Sequence, residues 1–118
     1  MSRTTSSKPY KTGSQIQSAI LDYVRHKCGK NVLAYKVEIA SERGVPDLLC
    51  CIDGTFVGIE IKGHGDQIKP IQTAQAARII TAGGECFVVR SLDEFKQILT
   101  RLGESKNGKG NSERDGQN

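Results

Sequence analysis

The strongest constraint on the fold is an Asp-Gly pair, Asp53 and Gly54, that lies between two apolar runs. The runs cover residues 47–52 and 56–62 and are rich in the aliphatic and β-branched side chains that favour strands. An Asp-Gly pair in this setting is typical of a tight antiparallel hairpin. Such a hairpin brings the start of its first strand beside the end of its second, so Asp47 is expected next to Glu60 and Lys62.

Hydrophobic periodicity predicts the other elements. A helix with Ser14 as its N-cap is expected to end near Gly29, and an alternating strand is expected over residues 32–39. Residues 69–82 have helical spacing, with alanines that suggest close packing on the sheet, and residues 86–90 predict an apolar strand covered on both faces. Ser91 then caps a final helix. The order is α-β-β-β-α-β-α, an α/β fold in which three strands form an antiparallel meander within a mixed central sheet flanked by helices.

The 118 residues divide into one folded unit with polar ends. Residues 1–13 are rich in Ser, Thr and Lys and predict a flexible basic arm. Residues 103–118 contain no aliphatic or aromatic side chain and predict a disordered tail. Residues 14–102 are therefore the expected domain, which is large enough to bury one core.

Charge and cysteine content limit the classes of protein to which the chain could belong. The chain has 17 Lys and Arg against 13 Asp and Glu, a formal charge of +4 and a pI near 9.0. This excess favours polyanionic partners, although it is weak support alone. The absence of a long apolar run predicts a soluble, cytoplasmic protein. The four cysteines form no C-x-x-C pair, so we expect reduced, mostly buried thiols and no zinc site.

Asp47, Glu60 and Lys62 are the candidate active site. On a strand Glu60 and Lys62 point to the same face, so an otherwise apolar strand carries two opposite charges side by side. Two carboxylates and an ammonium suit phosphodiester hydrolysis, because hard oxygen ligands hold Mg²⁺ or Mn²⁺, which activates water. Lys62 can orient that water or stabilise developing charge. The alternative interpretation is a solvated Glu60–Lys62 ion pair, with Asp47 as a turn residue.

These residues resemble the PD-(D/E)XK nuclease superfamily, and their setting resembles its VRR-NUC (virus-type replication-repair nuclease) family of stand-alone phage and bacterial type. The resemblance spans most of residues 15–102 and implies a restriction-endonuclease-like core. The segments that carry it are Gly44-Val45-Pro46-Asp47-Leu48-Leu49, Gly58-Ile59-Glu60-Ile61-Lys62, Lys69-Pro70-Ile71-Gln72, Ala82-Gly83-Gly84 and Val88-Val89-Arg90-Ser91.

The resemblance also implies roles for individual residues. Asp47 and Glu60 would bind the metal, with the main-chain carbonyl of Ile61 as a further ligand, and Lys62 would be the catalytic lysine. Gln72 would lie beside Lys62 and hold its position, although a glutamine at a helix start can equally bond its own backbone.

The chain departs from the family pattern on the first helix. Relatives usually carry a glutamate where this chain has Gly13, four residues before Gln17, which matches a glutamine often seen there. Either the outer metal contact is lost, or Glu38 or Glu42 supplies a carboxylate from another element. Glu38 ranks first because it is expected on a strand.

Four residues are candidate DNA contacts: Gln17, Arg43, Lys69 and Arg78. The expected function is a structure-selective DNA endonuclease that acts as a homodimer on branched DNA such as Holliday junctions, in a bacterium or a phage-infected host. No base-reading motif is visible, which disfavours a sequence-specific restriction enzyme. The alternative is a catalytically weakened DNA-binding or recombination accessory module. A small RNA-binding α/β protein is disfavoured by the lack of paired exposed aromatic residues.

Overall fold

The computed structural model describes residues 11–103, which contain three helices and four strands. Their bounds are α1 Gly13–Lys27, β1 Val32–Lys36, β2 Leu48–Ile52, β3 Thr55–Ile61, α2 Pro70–Thr81, β4 Glu85–Val89 and α3, residues 92–103. The predicted order α-β-β-β-α-β-α is confirmed. The predicted arm and tail lie almost wholly outside the described residues, so the domain limits stay predictions.

The strands form one mixed sheet in the order β1-β2-β3-β4. β1, β2 and β3 are an antiparallel meander, and β4 runs parallel to β3. A parallel neighbour requires a crossover, and α2 lies in that connection. The mixed α/β fold expected from the sequence is therefore confirmed.

One face of the sheet carries the hydrophobic core. Ile16 and Ile20 of α1 and Phe95 of α3 are at most 1% exposed, and they cluster with Leu48 and Ile59 of the sheet. Burial of such side chains is the main favourable term in folding, about 1.5–3 kcal/mol for each large aliphatic or aromatic residue. The core thus fixes β2 and β3 from the face opposite to Glu60, since Ile59 and Glu60 alternate along β3.

The other face is only partly covered. α2 lies over β3 and β4 and contains no buried residue. Beside it, the side chains of Leu33, Tyr35 and Phe56 are 50%, 66% and 48% exposed. Leu33 pairs with Cys51, and Cys51 pairs with Phe56, so the exposed row crosses three strands.

Glycines in the sheet determine how closely α2 approaches it. A Cβ atom at Gly58 would lie 2.8 Å from Pro46 Cγ and 3.2 Å from Ile79 Cδ1, so only glycine permits this contact. Ala76 of α2 is half-buried, whereas Ala74 and Ala77 are exposed. The close approach of α2 therefore depends on the glycine of the strand, and a contribution from the alanines of α2 stays a prediction.

The hairpin predicted from Asp53 and Gly54 is confirmed. Their φ values are 51° and 84°, and positive φ at both positions defines a type I′ turn, which matches the twist of the strands. The side chain of Asp53 also accepts a 2.8 Å hydrogen bond from Asn31 Nδ2. Leu48 pairs with Ile59, so the residues just beyond this pair, Asp47 and Glu60, face each other across the strands.

The first helix starts earlier than predicted. Thr12, not Ser14, is the N-cap of α1. The Thr12 hydroxyl accepts a hydrogen bond from the Gln15 N–H at 3.2 Å, and Gln15 Oε1 accepts one from the Thr12 N–H at 2.9 Å. This reciprocal capping box satisfies the N–H groups of Thr12 and Gln15, and it places the helix start two residues before the predicted cap. Ser91 is confirmed as a cap, since its hydroxyl accepts from the Glu94 N–H at 3.1 Å.

One strand prediction is wrong and another holds in part. β1 ends at Lys36 and not at residue 39: the Val37 N–H still binds the Asp47 carbonyl at 3.0 Å, but the chain leaves the sheet after it. β4 is an edge strand of the described sheet, and Val89 is fully buried on its core face. α2 packs over its other face, where Cys86 is half-buried and Val88 is 39% exposed, so the cover on that face is partial.

The cysteines and the helices test two further predictions. Cys28, Cys50, Cys51 and Cys86 are free thiols, as expected. Only Cys50 is buried and Cys51 is exposed, so the prediction of mostly buried thiols is wrong. Over residues 11–103, no helix has both the length and the apolar character needed to span a membrane.

Candidate active site

Asp47 immediately precedes β2, and its side chain is hydrogen-bonded to the end of β3. Its Oδ2 accepts a hydrogen bond from the Ile61 N–H at 2.8 Å. Pro46, just before it, is buried against the sheet. The main-chain donor fixes the direction of the carboxylate, so Asp47 is more than a solvated turn residue.

Glu60 and Lys62 form a buried charged pair on β3 and just beyond its end. They are 6% and 7% exposed, and Lys62 Nζ lies 3.5 Å from Glu60 Oε2. This burial rules out a solvated surface pair. Removing two charges from water costs several kcal/mol per ion, which their attraction often fails to offset. A contribution to stability therefore does not explain the buried pair, and buried charged groups of this kind are typical of functional sites.

Gln72, in the first turn of α2, contacts both its own helix and the buried pair. Its Oε1 accepts a hydrogen bond from the Lys69 N–H at 2.9 Å, while its Nε2 donates to Glu60 Oε2 at 2.7 Å. The sequence suggested either a helix-start role or an active-site role, and Gln72 has both contacts. Its hydrogen-bond partner is Glu60 Oε2, the oxygen that faces Lys62 Nζ at 3.5 Å, and a role in holding Lys62 in position stays a prediction.

The pKa of Glu60 is raised to about 7, first by burial and next by the negative charge of Asp47, while Lys62 opposes the shift in part. Because the charge of Asp47 acts on Glu60, the two carboxyl groups lie close together on the same side of the sheet. A carboxyl group with this pKa changes its charge near neutral pH.

The donor set fits a hard divalent cation. The carboxylate oxygens of Asp47 and Glu60 lie close together. The main chain of Ile61 lies beside them, because its N–H donates a hydrogen bond to Asp47. Mg²⁺ is typically bound by one or two protein carboxylates and keeps several waters. In the part of the chain that the structure describes, no group of three His, Cys, Asp or Glu side chains could hold a metal.

Neither candidate for an additional carboxylate joins this set. Glu38 lies beyond the end of β1 and pairs with Lys36 at 3.5 Å. The reason for favouring it, a position on a strand, is therefore wrong. Glu42 forms an ion pair with Arg78 on the outer side of α2, and hydrogen bonds from Gln75 and Arg78 lower its pKa.

A loop fixed by hydrogen bonds follows Lys62, and the sequence did not single out the residues that hold it. Asp66 Oδ2 accepts from the Gly63 N–H at 2.9 Å, and the Arg90 guanidinium donates to the Gly63 carbonyl at 3.0 Å. The sequence pattern does not predict these contacts, because neither the spacing of Asp66 from Gly63 nor the position of Arg90 after a strand is a known signal for them. Gly13 lies beside this loop, where its Cβ would be 3.8 Å from the Gly63 nitrogen, so a side chain at position 13 would lie next to the loop that follows Lys62.

Three of the four candidate DNA contacts, Arg43, Lys69 and Arg78, lie on or beside α2, and Gln17 lies on α1. Lys69 directly precedes α2 and is exposed, next to the Gln72 contact, whereas Gln17 is half-buried on α1. Arg43 is exposed in the connection before β2. Arg78 lines an open cleft of about 680 Å³ whose walls do not include the candidate catalytic residues. Lys69 is therefore the cation best positioned to meet DNA at the site.

Two solved structures are similar to this chain. One, described as "VRR_NUC domain", has a TM-score of 0.61 and 22% identity over 76% of this chain and 97% of its own. Another, described as "VRR_NUC domain protein", has a TM-score of 0.63 and 16% identity over 83% of this chain and 90% of its own. No family model matches the sequence. No curated protein matches it. At these identities the likeness establishes the fold, which is restriction-endonuclease-like.

Proposed function

We propose that this chain is a nuclease of the VRR-NUC family that hydrolyses phosphodiester bonds in DNA with Mg²⁺ or Mn²⁺. The observation that carries the proposal is the position of the half-buried Asp47 beside the buried Glu60 and Lys62 at one end of β3. Neighbours named for the VRR_NUC domain have the same fold, although fold alone does not specify an activity. The basic excess of the chain is consistent with a polyanionic substrate.

Each residue of the proposed site has a distinct task. Asp47 and Glu60 would hold the metal, with the Ile61 carbonyl as a further ligand, and the bound ion would supply an activated water and charge stabilisation. Lys62 is a compact cation next to Glu60 that would orient the attacking water or stabilise negative charge on the phosphate. Gln72 would orient Glu60 through its 2.7 Å hydrogen bond.

The preferred substrate in this proposal is branched DNA such as a Holliday junction, and the working form is a homodimer. One chain contains one such site among its described residues, so symmetric cutting of two strands needs a second copy. Light scattering tests the dimer, because the 12.8 kDa chain would give twice that mass. A bacterial or phage-infected cytoplasm as the place of action is part of the same proposal.

The central experiment incubates the protein with labelled four-way junction or linear duplex in Mg²⁺, Mn²⁺ or EDTA. We expect the wild type to cut the junction with either metal and not in EDTA. Lys62→Ala should reduce the rate by about 100-fold or more, since it removes charge stabilisation at the reacting phosphate. Lys36→Ala is the matched control, because Lys36 is an exposed lysine paired with Glu38. Equal loss in both variants, or cutting in EDTA, would contradict the proposal.

A second candidate is a DNA-binding or recombination accessory module with little or no catalysis. Its support is that residues 11–103 provide no group of three potential side-chain ligands, so metal binding rests on two carboxylates. The raised pKa of Glu60 also reduces its charge at neutral pH. Binding to the junction in EDTA without cutting in either metal would favour this candidate.

A further inference from the structure

Arg90 joins the end of β4 to the loop that follows Lys62. Its Nη1 donates to the Gly63 carbonyl at 3.0 Å, and its Nη2 donates to the Asp66 carbonyl at 3.1 Å. The planar guanidinium can hold two acceptors at once in a fixed geometry, which a lysine ammonium does not reproduce. Arg90 therefore fixes the loop at two points.

The loop itself is a closed turn. The Asp66 N–H donates to the Gly63 carbonyl at 3.1 Å, and Asp66 Oδ2 accepts from the Gly63 N–H at 2.9 Å. Gly63 is buried, and a Cβ atom there would lie 3.0 Å from the Gly13 nitrogen. The hydrogen bonds between Asp66 and Gly63 close the turn, and Arg90 binds it through the carbonyls of the same two residues.

The main chain of Lys62, just before this loop, is fixed by a hydrogen bond to β4. Its N–H donates to the Val89 carbonyl at 3.0 Å, one residue before Arg90. The N–H of Arg90 is in turn bound by Glu94 Oε1 at 2.6 Å, which anchors it to the start of α3. At the other end of the loop, α2 begins with Gln72, which contacts Glu60.

We propose that Arg90 is a positioning residue for the nuclease reaction: by binding the carbonyls of Gly63 and Asp66, it holds Lys62 and the start of α2 in register with Glu60. This inference rests on the proposed function. Both guanidinium nitrogens that donate are engaged with main-chain carbonyls, so the role assigned to Arg90 is internal and does not require contact with a DNA phosphate.

The test compares the wild type with Arg90→Ala, Arg90→Lys and the control Arg25→Ala, which removes the same charge from an exposed i,i+3 pair with Asp22. Measurements are kcat and KM for the labelled four-way junction, Kd for it in EDTA, and amide hydrogen exchange at Lys62 and Gly63. For Arg90→Ala we expect kcat to fall about 10- to 100-fold, the range for residues that orient catalytic groups, with KM and Kd nearly unchanged.

The other variants sharpen this expectation. Arg90→Lys should recover part of kcat, because a lysine can hold one carbonyl, and Arg25→Ala should match the wild type. The Gly63 and Lys62 amides should exchange faster in Arg90→Ala. An unchanged kcat overturns the inference, and so does a weakened Kd with normal kcat at saturating DNA, which would mark a phosphate contact.

Failure of the two proposals gives different results. If the wild type does not cut DNA, the proposed function fails, and hydrogen exchange still tests the positioning role. Unchanged protection at Gly63 and Lys62 in Arg90→Ala overturns that role, whereas a local loss of protection at these amides supports it.

Discussion

Glu60 is subject to three influences that act on its carboxyl group in opposite directions. Burial and the Asp47 charge favour the protonated form, and Lys62 favours the ionised form. Gln72 donates a hydrogen bond to Oε2, the same oxygen that faces Lys62 Nζ. The result is a carboxyl group whose ionised form is costly in the folded protein until a cation of higher charge arrives.

The first prediction concerns the pH dependence of stability without divalent cations. The pKa of Glu60 is about 7 in the folded chain and near its ordinary value of 4.5 in the unfolded chain. The folded state therefore binds more protons between these values, and the stability contributed by Glu60 is fully present below pH 4.5 and is lost as the pH rises through 7. From pH 5 to pH 8 the free energy of unfolding should fall by about 2 to 3 kcal/mol from this group.

Urea unfolding at a series of pH values checks this prediction. The control is Glu60→Gln, which has no titrating group at this position and should lack that part of the slope. A wild-type curve parallel to that of Glu60→Gln between pH 5 and 8 would show that Glu60 titrates normally.

At the scale of the elements, local sequence signals predicted most of the fold. Asp53-Gly54 defined the hairpin and its register, and that register placed Asp47 opposite Glu60. Asp47, Glu60 and Lys62 could thus be brought together from sequence, because their meeting depends on one short turn. The start of α1 was less well defined, because Thr12-Gln15 and Ser14-Gln17 carry the same capping signature and the structure shows that Thr12 is the cap.

The features that the sequence did not predict depend on contacts between residues far apart in the chain. Glu38 was placed on a strand because alternation continues past Lys36, but pairing with β2 ends there. The contacts of Arg90 with the loop at Gly63 join residues 27 positions apart, and no local pattern specifies them. The partner of Gln72 depends on where α2 crosses β3, which the small size of Gly58 decides.

The second prediction separates the two contacts of Gln72. Gln72→Glu keeps an acceptor for the Lys69 N–H but loses the donor to Glu60, whereas Gln72→Ala loses both. At pH 5, where Glu60 holds its proton, Gln72→Glu should be as stable as the wild type. Gln72→Ala should be less stable by about 1 kcal/mol, the usual value of a helix cap.

Junction cleavage at pH 8 completes this test. Both variants should be slower by about tenfold or more, because Glu60 loses the group that orients it. Normal cleavage by Gln72→Ala would reduce Gln72 to a helix cap with no part in the site.

At the scale of the whole molecule, the site lies on the less covered face of the sheet. The opposite face is closed by α1 and α3, so an extended partner can reach Glu60 and Lys62 only from the side of α2. Lys69 is exposed at the start of that helix. Arg78, further along α2, already pairs with Glu42, so its charge is largely compensated.

The third prediction follows from this distribution of charge. Each phosphate neutralised by a protein cation releases counterions, so the slope of log K against log salt counts such contacts at about 0.9 each. With junction affinity measured in EDTA to prevent cutting, Lys69→Ala should reduce the slope by about 1. The double variant Glu42→Ala/Arg78→Ala removes a neutral pair and should leave both slope and affinity close to those of the wild type.

These two variants distinguish a local contact from the general attraction of a basic protein. If the overall charge of +4 alone governs binding, Lys69→Ala should resemble any other loss of one lysine, such as Lys36→Ala. A larger change in slope for Lys69→Ala than for Lys36→Ala would assign a phosphate to the start of α2, beside Gln72 and Glu60. A large loss in the double variant would instead move the DNA path to the cleft lined by Arg78.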